Sequence, residues 1–132
     1  MANTEHVNLL LSASWEAFRK QNPRIVPDLT GADLRGQDLS GRDLSRAVLR
    51  NADLRGANLS GANLSLSVVD GALLEGANLE GVDFTGVRLD LIALRQCCLR
   101  RATFRQASFR GTDFSGADLS EADLSQANLE GA

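Results

Sequence analysis

Large apolar residues recur at every fifth position from Leu29 to Leu129, twenty-one consecutive centres without a slip of register. Sixteen are Leu, four are Phe (Phe84, Phe104, Phe109 and Phe114) and one is Val69. A period of five fits neither the helix period of about 3.6 nor the strand period of about 2, so the chain turns once in each repeat. Two residues before the centre stands Ala in most repeats, as at Ala32, Ala47, Ala52, Ala57, Ala62, Ala72, Ala77, Ala102, Ala107, Ala117, Ala122 and Ala127. Residues two apart on an extended segment point the same way, so each Ala shares an interior with the Leu or Phe after it. The remaining positions face out. They read as Asp or Asn before the centre, then Ser, Arg or Glu, then often Gly at the corner. The pattern predicts a solenoid of short inward-facing strands joined by corners.

Residues 3–22 follow a different period. Val7, Leu10, Leu11, Trp15 and Phe18 fall on one face of an α-helix. Asn3 or Thr4 serves as N-cap, Glu5 suits the first turn, and Pro23 marks the stop. This predicts one amphipathic helix lying over the first repeat, with Val7, Leu11, Trp15 and Phe18 as the covering contacts. Its polar face holds too few cations for a membrane-surface helix. Residues 1–27 are thus read as capping helix and linker, and 28–132 as the solenoid.

Runs such as Gly31-Ala32-Asp33-Leu34-Arg35, Gly61-Ala62-Asn63-Leu64-Ser65 and Gly116-Ala117-Asp118-Leu119-Ser120 resemble the pentapeptide-repeat family. The resemblance covers residues 28–132 and implies an all-β solenoid, a right-handed quadrilateral β-helix with four pentapeptides to a coil and about five coils. Period alone does not choose four sides over three. Like residues twenty apart, Val48 with Val68, Asn58 with Asn78 and Phe84 with Phe104, agree with the four-sided coil. The segment from Trp15 to Pro23, followed by Pro27-Asp28-Leu29, is similar to a leader that precedes the first repeat in many bacterial members.

Departures from the pattern bear on packing. Gln37 and Arg42 take the Ala position, which is expected to place polar groups inside the first coil, tolerable only near an end. Val82, Val87, Ile92 and Cys97 put larger apolar groups there, so the tube is expected to widen or repack; a ligand cavity would need convergent polar groups that this stretch lacks. The last repeats, to Gly131 and Ala132, stay in register, and the last coil is expected to be buried by a second copy in an end-to-end homodimer.

The chain has 132 residues, a net charge of −3 and two cysteines. That balance argues against a nucleic-acid or membrane partner. No early segment reads as a cleavable signal or a membrane span. Cys97 is expected to face in and Cys98 out; adjacent thiols do not easily bridge, and free thiols suit a cytoplasmic location. The one histidine, His6, lies outside the repeats, so the solenoid holds no catalytic triad, and no metal spacing or phosphate loop is present. No enzymatic activity and no cofactor are expected.

Function is therefore sought on the outer walls. Arg88, Arg95, Arg100, Arg101, Arg105 and Arg110 fall within little more than one coil as a basic girdle, suited to an acidic partner or solvated among acids of neighbouring coils. Val48, Leu66, Val68, Leu73 and Leu91 occupy outward positions and would mark a contact site if exposed together. The leading expectation is a non-enzymatic module that binds an unidentified protein. The alternatives are a DNA mimic that binds a type II topoisomerase, as in the fluoroquinolone-resistance members of the family resembled, and a purely structural rod.

Overall fold

The computed structural model describes residues 3–132. Residues 28–132 wind into a right-handed quadrilateral β-helix whose parallel bridges join positions twenty residues apart, such as Asp28 to Val48 and Asn58 to Asn78. One coil is therefore four pentapeptides. Leu29, Leu49, Val69, Leu89 and Phe109 line the first face, and the second, third and fourth faces begin at Leu34, Leu39 and Leu44. The ladder runs both ways along the rod. Along most of the rod a centre donates forward, as Leu29 N–H does to the Val48 carbonyl at 2.8 Å, and the residue before it donates backward, as Asp53 N–H does to the Ala32 carbonyl at 2.9 Å.

The interior is the Leu/Phe column with its Ala companions. Leu34, Leu39, Leu44, Leu59 and Leu79 are fully buried. Toward the later coils aromatic rings fill the tube: Phe84 and Phe104 stack at 5.6 Å, and Phe104 meets Phe109 edge-on at 4.9 Å. The corners adopt positive φ. Gly71, at φ 71°, could not even take Ala without a shift, because a Cβ there would lie 2.2 Å from Asn51 Oδ1.

The N-terminal segment forms two short helices, α1 (Thr4–Leu10) and α2 (Trp15–Gln21), where one was expected. Ser12 breaks the run: its hydroxyl donates to the Leu9 carbonyl and accepts from Ser14 N–H, satisfying backbone groups that a continuous helix would pair internally. Asn3 is the N-cap, accepting from His6 N–H at 3.2 Å. Trp15 is buried, and Val7 and Phe18 pack partly buried on the core. Leu11 does not cap. It sits just past the end of α1 and is exposed, while Leu10 and Leu9 face the core in its place.

These helices close two of the four faces of the first coil with side-chain substitutes for a missing strand. His6 Nδ1 accepts from Asp28 N–H at 3.0 Å, and Asn3 N–H donates to the Asp28 carbonyl at 3.0 Å. On the fourth face Glu16 accepts from Asp43 N–H, Trp15 Nε1 donates to the Asp43 carbonyl at 2.9 Å, and Arg19 donates to the Ser45 carbonyl at 2.8 Å. The second and third faces carry no such cover among the described residues. Gln37, on the third, is accordingly exposed rather than interior, and Arg42 is half-buried.

The repacking expected at Val82, Val87, Ile92 and Cys97 takes a specific form. All four are buried, and five ladder bonds are missing beside them among the described residues. Val69, Gly71 and Leu74 do not donate forward to the next coil, and Arg88 and Ala93 do not donate back. This open seam spans the first two faces between the third and fourth coils; on the other faces the ladder continues, as from Leu79 N–H to the Cys98 carbonyl at 2.8 Å. Polar side chains in the Ala position bond to carbonyls twenty-three residues back: Thr112 Oγ1 to Leu89 at 2.8 Å, and the Cys97 thiol to Leu74 at 3.0 Å. Ser67, next to the seam, is buried with no partner for its hydroxyl.

Candidate interaction surface

The outer wall is built from the residues flanking each centre. An Asp or Asn before the centre accepts from the backbone N–H two residues on, as Asp38 does from Ser40 and Asn63 from Ser65, which stiffens each corner. These bonds set the acidity of the carboxyls. The Ser40, Ser115 and Ser125 hydroxyls, followed by the backbone N–H groups of the same residues, lower Asp38, Asp113 and Asp123 from the ordinary carboxylate value. Asp33, gripped by the Arg35 guanidinium and then by its N–H, falls to about 2. Inside, burial pushes the Cys97 thiol up to about 11; Cys98 is half-exposed, and both thiols are free.

The arginine girdle divides into paired and free members. Arg88 pairs with Asp70, Arg95 with Glu75 and Asp113, Arg101 with Glu121 at 2.8 Å, and Arg110 with Glu130 at 3.5 Å. Arg100 and Arg105 form no ion pair among the described residues. Arg46 and Arg50, which the sequence reading did not single out for binding, are also exposed and unpaired there. Arg95 meets Glu75 twenty residues back, directly above it on the wall, whereas Asp70, which stands twenty residues from Arg50, turns instead to Arg88.

The apolar positions are outward as expected. Leu66, Leu73 and Leu91 are exposed, Leu91 by 84%, while Val48 and Val68 are half-buried on the first face. Leu66 and Leu91 stand at corners with φ of 58° and 62°, and each leans over the glycine of the next coil, Gly86 or Gly111. A shallow groove between them crosses the first face past Val68, Asp70, Arg88 and Asp90. Asp70 is paired with Arg88 and Asp90 with Ser108, which leaves Arg50 as the unpaired charge on the groove, so it offers shape, apolar contact and one cation rather than reactive chemistry.

A family model described as pentapeptide repeats (8 copies) matches residues 28–65, 68–101 and 97–132. The solved structure of a pentapeptide repeat protein from Nostoc PCC 7120 is 32% identical over 70% of this chain and 77% of its own, with a TM-score of 0.62. A pentapeptide repeat protein from the Arabidopsis thaliana thylakoid lumen is 30% identical over 73% of this chain, with a TM-score of 0.44; the chain spans 63% of its length. Full-length QnrB1, a plasmid-mediated fluoroquinolone resistance protein, is 24% identical over 75% of this chain and 54% of its own, with a TM-score of 0.43. No curated protein matches the chain.

Proposed function

The chain belongs to the pentapeptide-repeat family, and on that premise we propose that it is a non-enzymatic protein-interaction module, a stiff four-sided rod whose outer walls meet another macromolecule. The exposure of Leu66 and Leu91 at positive-φ corners carries this reading. Glycine would fill either corner without strain, so both residues cost the fold something and return little burial, the mark of a surface kept for contact. A purely structural rod leaves them unexplained. A DNA mimic needs a sustained negative stripe, and Arg35, Arg55, Arg95 and Arg100 interrupt the acidic rows here.

Two further points belong to the same proposal. The free thiols Cys97 and Cys98 suit a reducing, cytoplasmic location. Phe114, Leu119 and Leu124 remain only partly buried in the last coil, which favours an end-to-end homodimer there. Light scattering after size exclusion reads the dimer, and a strict monomer at high concentration rejects it. An affinity pull-down from the native organism tests the module itself, comparing wild type with Leu66→Gly/Leu91→Gly and with Arg100→Glu/Arg101→Glu. Loss of one specific partner in either variant is expected. A gyrase supercoiling assay with and without quinolone reads the mimic, and protection of gyrase would replace this reading.

A further inference from the structure

One edge of the first face, opposite that of Leu91, joins apolar exposure to unpaired charge. Arg46 and Leu66 stand twenty residues apart on the corner between the fourth and first faces, and Val26 lies one step earlier in the same register. Val48 and Val68 pair along the adjoining first face, with Arg50 two residues beyond Val48. Val26 and Leu66 are both about half exposed. Arg46 and Leu66 hold φ of 61° and 58°, the conformation of the rod's corners throughout, and present a cation and a leucine side by side on successive coils. Neither Arg46 nor Arg50 meets a carboxylate among the described residues. Grooves flank the ridge on both sides, one lined by Ser45, Asn63 and Ser65, the other by Arg50, Val68 and Arg88.

We infer that this ridge docks an acidic amphipathic segment of a partner protein, with its apolar side chains against Val26, Leu66 and Val68 and its carboxylates on Arg46 and Arg50. The inference rests on the interaction-module reading and names the partner's chemistry. Apolar anchors beside unpaired guanidiniums are what such a segment complements. The two free cations of this ridge, on a chain of net charge −3, are too few for the phosphates of a nucleic acid or for an anionic membrane. The seam borders the same groove, since Arg88 lines it with its ladder N–H unpaired, and Val69 and Gly71, whose N–H groups are also unpaired, adjoin Val68 and Asp70 of its lining, so an occupant would damp local opening there.

Two synthetic peptides carrying the same leucines at helical spacing, one with Glu and one with Lys at the polar positions, test this by titration into isotope-labelled protein. The Glu peptide is expected to shift the amides of Arg46, Leu66 and Val68 and to slow hydrogen exchange at Arg88; the Lys peptide is expected to do neither. Leu66→Gly and Arg46→Glu/Arg50→Glu are each expected to weaken binding by about tenfold or more. Leu66→Gly places at the corner the residue its φ favours, so a thermal melt at or above that of wild type separates lost contact from lost fold. Equal binding of the Lys peptide, unchanged affinity in both variants, or no binding of the Glu peptide overturns the docking site. Binding that maps to Arg100 and Arg105 overturns the site but leaves the module reading standing. Binding of phosphatidylserine vesicles in place of either peptide overturns both.

Discussion

At the scale of the residue, the strain at Leu91 can be measured directly. Its side chain is 84% exposed and its φ is 62°, so Leu91→Gly removes almost no burial and relieves a left-handed conformation. Urea unfolding should show a gain of about 1 kcal/mol; a loss of that size would mean that Leu91 packs usefully on the corner of Gly111. Ser67→Ala should also stabilise, by up to about 1 kcal/mol, because it replaces a buried hydroxyl without a partner by the residue usual in that position. Leu59→Ala, in a fully buried centre, should cost about 2–5 kcal/mol. The centres were legible from the sequence because a five-residue period leaves no other place for Leu. Leu11 was misread because helical periodicity assumes an unbroken helix, and a single hydroxyl, that of Ser12, redirects the backbone.

At the scale of the element, corner and cap work differently. The corners share one acid-sensitive bond. Asp33, Asp38, Asp53, Asp113, Asp118 and Asp123 all have folded-state values below the ordinary 3.8, the first at about 2. A group lowered on folding contributes fully above its unfolded value and loses that contribution as pH falls through its folded value. Urea midpoints should therefore hold steady from neutral pH to about 4 and then drop between about 4 and 2; a flat profile across that window would discount the corner bonds. The cap relies on tertiary contacts. Trp15→Phe keeps an aromatic ring but removes the donor to the Asp43 carbonyl, and should cost about 1 kcal/mol by circular dichroism in urea. The existence and place of the cap were legible from Trp15 and Phe18, whereas His6 and Glu16 as stand-ins for a strand were not. Their role depends on which first-coil N–H groups the helices happen to reach, and no spacing encodes that.

At the scale of the whole molecule, the rod is uneven along its length. Val87 and Ile92 announced a disturbance in the sequence, but not which bonds it removes, because bulk inside a tube displaces main chain on whichever walls yield. The first two faces yield. Amide exchange at Val69, Gly71, Leu74, Arg88 and Ala93 should outpace that at Leu49, Asn51, Leu54, Val68 and Leu73, their counterparts one coil earlier, whose bonds are made. Equal protection in the two sets would mean that the seam is closed in solution. The substitute strand at the other end has a separate consequence. His6 and Glu16 already occupy the donors that another molecule's exposed edge would seek on two walls, so a neighbour cannot stack squarely there. An arriving strand edge would find free backbone groups on the second and third walls alone, half of a docking surface, which disfavours end-on lengthening of these rods into fibres from this tip.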